Sequence, residues 1–134
     1  MVPEKILQSA GKGSKAPVLV WIHGGGYAQG SKAYYGIPGE IEAQSNDIIF
    51  VSINYRLSAF GWISGPSVQA NGVGNAGLYD QRFALEWVQE YITRFGGDPN
   101  QVTVIGESAG GGSILLQITV SREFRKRVSF FVVP

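Results

Sequence analysis

Three apolar runs, each too short for a helix and none alternating with polar residues, constrain this chain more than any other feature. They are VLVWI from Val18, IIFVSI from Ile48 and VTVI from Val102. Runs of this length, rich in valine and isoleucine, read as strands. The lack of polar alternation is what parallel strands covered on both faces require. The segments between them are long enough to cross over. Lys32 to Asn46 is polar with apolar residues at Ile37, Ile41 and Ala43, consistent with a short helix. From Gly77 to Phe95 the pattern is clearer: Leu78, Leu85 and Ile92 recur every seven positions, with Ala84, Val88 and Phe95 on a neighbouring row. That is one apolar stripe on a helix. GGDPN from Gly96 ends it, glycine at the stop and proline just beyond. AGGGSILLQIT from Ala109 is apolar behind a glycine-rich head and reads as a buried helix lying close on the sheet, at some cost in helix propensity. Strand, crossover, strand, helix, strand, helix is the order of an open, mostly parallel α/β sheet with right-handed connections.

At 134 residues the chain has the length of one domain, without internal repeats. Nineteen glycines are about twice the ordinary share, and they cluster in short motifs, so they mark tight turns. The net charge of +1 gives no case for a nucleic-acid partner. The one basic cluster, Arg125 to Arg127, reads as a solvated patch rather than a phosphate- or membrane-binding tail. With no cysteine there is neither a disulfide framework nor a thiolate site. The N-terminal residues lack the apolar core of a secretion signal, and no run has the length to insert stably in a bilayer. The polypeptide as written is therefore expected to stay soluble and inside the cell.

GESAG, with Ser108 at its centre, fits the Gly-x-Ser-x-Gly nucleophile elbow. The motif is short, but its context is the required one, with a strand running in and a helix running out. Gly106 and Gly110 leave room for the backbone to pass, and the Ala109 amide points from the helix start toward whatever binds Ser108. A plain glycine-rich turn is the bland alternative. A second motif strengthens the first: WIHGGGYAQG follows the first strand directly. Attack by a serine on an ester carbonyl creates an oxyanion, and amides must be aimed at it in advance. Three successive glycines let amides rather than side chains face a site. A phosphate-binding loop is the rival, but the Lys-Ser/Thr that should follow is absent.

FGGDPNQVTVIGESAG, PVLVWIHGGGY, VSINYRLSAFGWIS and NAGLYDQRFALEWVQEYI together resemble the type B carboxylesterases and lipases, the cholinesterase-like branch of the α/β-hydrolase fold. The wording is nearest to fungal members, and the likeness covers about Pro17 to Thr119. The resemblance implies a partial α/β-hydrolase domain over residues 1–134, with 120–134 as a divergent tail, and by family analogy it puts the strand at Val18 between the other two. It implies Ser108 as the acyl-enzyme nucleophile, and Gly25, Gly26 and Ala109 as oxyanion donors. The substrate would be a small-molecule or lipid carboxylic ester, hydrolysed without metal or cofactor. Full-length members of the family are often secreted; the oligomeric state is left open.

The family's order is serine, then an acidic residue, then histidine. No histidine follows Ser108, and the family's upstream acidic motif with a cysteine is missing. After Thr119 the family wording fades, although VSFFVV from Val128 could serve as a further strand. The chain is accordingly expected to be an internal piece of a larger catalytic domain, inactive or nearly so by itself. A non-catalytic interaction protein, or a non-functional remnant of the same fold, is the alternative. His23, the one histidine, opens the glycine loop and is expected to hold it by hydrogen bonding rather than to act as base. Glu107 neighbours the nucleophile but orients no histidine, so it cannot form the relay. GVGNAG from Gly72 matches a dinucleotide fingerprint yet follows a loop instead of a strand. Arg56 and Asp80 are expected to pair beneath the loops. Trp21, Trp62 and Trp87 read as packing residues, with a cleft-lining role open only for Trp62.

Overall fold

A computed structural model of the chain describes residues 1–33, 47–120 and 128–133. The helix expected within Lys32–Asn46 and the basic cluster at Arg125–Arg127 lie outside the described residues, apart from Lys32 and Ala33. The elements in chain order are α1 (Glu4–Ser9), β1 (Ala16–Ile22), β2 (Ile49–Ile53), α2 (Ser58–Trp62), α3 (Pro66–Asn71), α4 (Ala76–Tyr91), a 3-10 turn (Ile92–Phe95), β3 (Gly97–Glu107), α5 (Ala109–Val120) and β4 (Ser129–Val133).

The strands form one parallel sheet in the order β2-β1-β3-β4. The strand carrying Val18 is flanked by the other two apolar runs, as expected, and VSFFVV does supply a fourth strand. Val20 pairs with Val51 on one side and Val104 on the other, and Val104 in turn with Phe130. Val18, Val20, Ile22, Ile49, Ile53, Val102 and Val104 form one buried face, covered by Leu85, Val88 and Ile92 of the α4 region and Ile114 of α5. This is the open parallel sheet flanked by helices that was expected. Outward lie exposed apolar side chains, among them Phe83 and Leu115 on the helices and Phe131 on β4.

The helical stripe is right at Leu85, Val88 and Ile92, but the buried line continues upward through Gln81 and Gly77. Gln81 is fully buried and donates from Nε2 to Ser113 Oγ at 2.9 Å. One turn further along α5, Gln117 donates to the Leu78 carbonyl at 2.7 Å and accepts from Arg82 Nη2 at 2.8 Å. The α4–α5 contact thus runs on side-chain amides. Buried amides are tolerated where such partners exist, and a period counted in apolar residues cannot find them. The stop after α4 falls at Gly96, left-handed at φ 86, as expected. GDPN, read as part of the turn, instead joins the start of β3, where Gly97 pairs with Ala16.

Candidate active site

β3 ends at Glu107 and α5 begins at Ala109, so Ser108 alone makes the corner. Its φ is 55°, in the left-handed region, and it is exposed. For a residue with a side chain that conformation costs roughly 1–2 kcal/mol, so the surroundings must impose it. They do so by close approach. A Cβ added to Gly106 would lie 2.6 Å from the Gly110 carbonyl carbon, and one added to Gly110 would lie 2.1 Å from the Ile22 oxygen. The head of α5 therefore sits directly on the ends of β3 and β1, and the corner between has no room to relax. The Ser108 carbonyl is taken into the helix by the Gly112 N–H at 2.9 Å.

The glycine loop leaves β1 beside this corner. Gly25 and Gly26 have φ of 108° and 62°, and the amides of Ala28 and Gln29 both donate back to the Gly25 oxygen at 3.1 Å. Gly24 makes the junction. A Cβ there would stand 2.7 Å from Glu107 Oε2, 2.8 Å from the Glu107 carbonyl oxygen and 3.0 Å from Ser108 Cβ. The structure thus brings the two glycine motifs, eighty-odd positions apart in the chain, into contact at Ser108.

His23 is buried, with Nδ1 2.8 Å from the Gly24 oxygen. A nitrogen facing a carbonyl carries the proton, so this one is committed to the loop. The ring stacks on Tyr55 at 4.5 Å, and the Tyr55 hydroxyl donates to the His23 carbonyl at 2.7 Å. That is the loop-holding part expected of it. Trp62 ends the short helix α2 rather than lying in a loop, and packs on Tyr27 at 4.2 Å. Trp21 is fully buried, whereas Trp87 is 40 % exposed, in an aromatic row with Tyr91 and Phe95. GVGNAG follows α3, a helix where a loop was expected, and still no strand precedes it. Among the described residues no group of three or more acidic, histidine or cysteine side chains is placed to hold a metal ion.

Arg56 and Asp80 do pair. Nε and Nη2 of Arg56 each donate to a different carboxylate oxygen at 2.8 Å, and the Arg56 backbone N–H adds a third bond at 2.9 Å. The expectation of a pair beneath the loops needs correcting, because the Arg56 side chain is 56 % exposed and that of Asp80 28 %. A long cation reaching a loop-edge carboxylate keeps its head in water. The Arg56 hydrogen bonds hold the Asp80 carboxyl below its ordinary value of 3.8, against a smaller opposing push from burial. A lowered folded pKa means that the stabilisation is complete above about pH 4 and is lost as pH falls through the folded value. Urea midpoints of the protein and of Asp80→Asn are therefore expected to differ at pH 6 and to converge toward pH 2.5. Asp98 shifts in the same direction, through bonds from Gln101 and Asn100, so only the difference between the two proteins reports on Asp80. A constant gap across that range would rule the pair out as an acid-sensitive contact.

The sequence model described as the carboxylesterase family matches residues 2–129. The chain belongs to that family. Among curated carboxylesterase-family proteins it is 51 % identical over 128 residues to carboxylesterase patB of Penicillium expansum, which covers 88 % of this chain and 23 % of the relative. To a secreted lipase of Arthroderma benhamiae it is 43 % identical over 127 residues, 90 % of this chain and 25 % of the relative. Among solved structures, EstA of Aspergillus niger superposes with a TM-score of 0.69 at 50 % identity, over 75 % of this chain and 20 % of that one. The carboxylesterase segment in hand thus spans no more than about a quarter of the length of these relatives. Among its described residues no helix is long and apolar enough to cross a membrane.

Proposed function

We propose that this chain carries the nucleophile-bearing segment of a serine ester hydrolase. Ser108 Oγ attacks the carbonyl carbon of a small-molecule or lipid carboxylic ester. The amides of Gly25, Gly26 and Ala109 receive the oxyanion. Its collapse expels the alcohol and leaves an acyl group on Ser108, which water then removes. The observation that carries this reading is the left-handed Ser108 pressed against Gly24: strain of this kind collects at reacting centres, and here it leaves an exposed serine beside the glycine loop. The base that takes the Ser108 proton, and the acid that orients it, are proposed to come from protein beyond these 134 residues: no histidine follows Ser108, and His23 is buried against Tyr55 with Nδ1 facing the Gly24 carbonyl.

Two measurements test this. The 134-residue chain alone is expected to hydrolyse p-nitrophenyl butyrate no faster than its Ser108→Ala variant. When a serine relay loses a member, the residual acceleration of roughly 10³–10⁴ over water comes from the oxyanion cradle and binding, and Ser108→Ala keeps both. A serine-dependent steady rate would show that a base is already present. A fluorophosphonate, in contrast, is expected to label Ser108 selectively over hours, located by peptide mass. Silence in a folded chain would favour the non-catalytic interaction reading.

A further inference from the structure

The glycine loop is gripped at both ends by aromatic rings that come from the stretch after β2. At the upstream end Tyr55 stacks on His23, the planes 16° apart, and bonds its carbonyl. At the downstream end Tyr27 lies on Trp62 with centroids 4.2 Å apart. Trp62 also stands edge-on to Tyr55, at 6.4 Å and 83°, so the two grips are one cluster. Trp62 is itself fixed. Its Nε1 donates to the Arg56 carbonyl at 3.1 Å, and a Cβ on Gly77 would come within 2.9 Å of that nitrogen.

Tyr27 has a φ of 62°, and its carbonyl accepts from the N–H of Ser58, whose φ is 55°, at 2.7 Å. Two residues with side chains, both left-handed and facing each other across one hydrogen bond, do not hold that shape by local preference. Something outside the backbone must keep Tyr27 there. The Trp62 ring packs against its side chain, tilted by 48°. The Tyr27 hydroxyl meanwhile reaches the head of α5, where a Cβ on Gly112 would be 2.7 Å away. Tyr27 therefore spans the gap between the loop's downstream end and the helix that starts at the elbow, with Trp62 behind it.

From this juxtaposition we infer that Trp62 is a positioning residue: through Tyr27 it sets the direction of the Gly25 and Gly26 amides relative to Ser108. It touches no reacting atom. The inference deepens the hydrolase reading and rests on it for its functional meaning, but the positioning can be measured without turnover. The experiment is amide hydrogen exchange on the full 134-residue chain and its variants. Trp62→Leu is expected to speed exchange of the loop amides from Gly24 to Ala28 by at least about tenfold, with the β1 and β3 amides unchanged. Trp62→Phe, which restores a ring against Tyr27, should hold the loop within about threefold of the parent. Tyr27→Leu removes the other half of the contact and should match Trp62→Leu, so failure of either leucine variant to fold leaves the other to decide. Fluorophosphonate labelling of Ser108 should slow in step with loop exchange. Unchanged loop exchange, or a rise shared equally by strands and loop, would overturn the inference. Absence of labelling in the parent chain would count against the hydrolase reading and leave the exchange result to judge the positioning.

Discussion

Alanine at position 110 is expected to cost the chain at least about 3 kcal/mol of stability, the upper end of what one inserted methyl group does in a filled interior. The added carbon would lie 2.1 Å from the Ile22 oxygen and 2.8 Å from its carbonyl carbon. No side chain can swing aside, because both atoms are backbone. Nor can β1 yield, since it is paired to β2 on one edge and β3 on the other. The head of α5 must lift, and Ile114 with it, out of the core. With a urea slope of about 1.5 kcal/mol/M, the midpoint should fall by about 2 M. Gly72→Ala is the control. A Cβ there meets only the Val68 oxygen at 3.5 Å, ordinary contact, so its change should stay within about 0.5 kcal/mol. A loss below about 1 kcal/mol for Gly110→Ala would mean that α5 stands off the sheet further than described.

Gly24→Ala should do the opposite: spare the fold and damage the chemistry. Gly24 has no left-handed φ, so alanine meets no conformational penalty of its own. Its methyl group would crowd Glu107 Oε2 at 2.7 Å, which can rotate away. It would also crowd the Glu107 carbonyl at 2.8 Å and Ser108 Cβ at 3.0 Å, which cannot. Loop and nucleophile must separate by a few tenths of an ångström. An oxyanion donor displaced from its target loses most of its effect, and removing one such donor slows reaction by about 10²–10³. Fluorophosphonate labelling of Ser108 should fall by that order while the melting temperature moves less than about 5 °C. Full-rate labelling in Gly24→Ala would detach the glycine loop from the proposed chemistry.

Much of this architecture is legible in the residues. Val18–Ile22, Ile49–Ile53 and Val102–Ile105 are apolar without alternation, and only a parallel sheet covered by helices accommodates three such runs with these connections. Ser108 and the glycine loop stand out because each motif sits where a strand ends. Other parts are silent. Gln81 occupies a core position because Ser113 is opposite, and nothing in either local sequence announces the other. The start of β3 at Gly97 depends on the Ala16 pairing, a tertiary fact that overrides the turn character of GDPN. Tyr27, Tyr55 and Trp62 are scattered through two segments and become a cluster only when the loop folds back over α2. Arg56 and Asp80 are recognisable as partners, but their exposure, 56 % and 28 %, is a tertiary outcome that neither local sequence announces.

The left-handed serine also narrows what evolution or an engineer can place at that corner. A thiol has the same single substituent on Cβ, so cysteine fits the backbone as it stands. Threonine, branched at Cβ, is a steric misfit at a φ of 55°. Among side chains that offer an alcohol, the bend itself therefore selects the unbranched one, whatever reaction is asked of it.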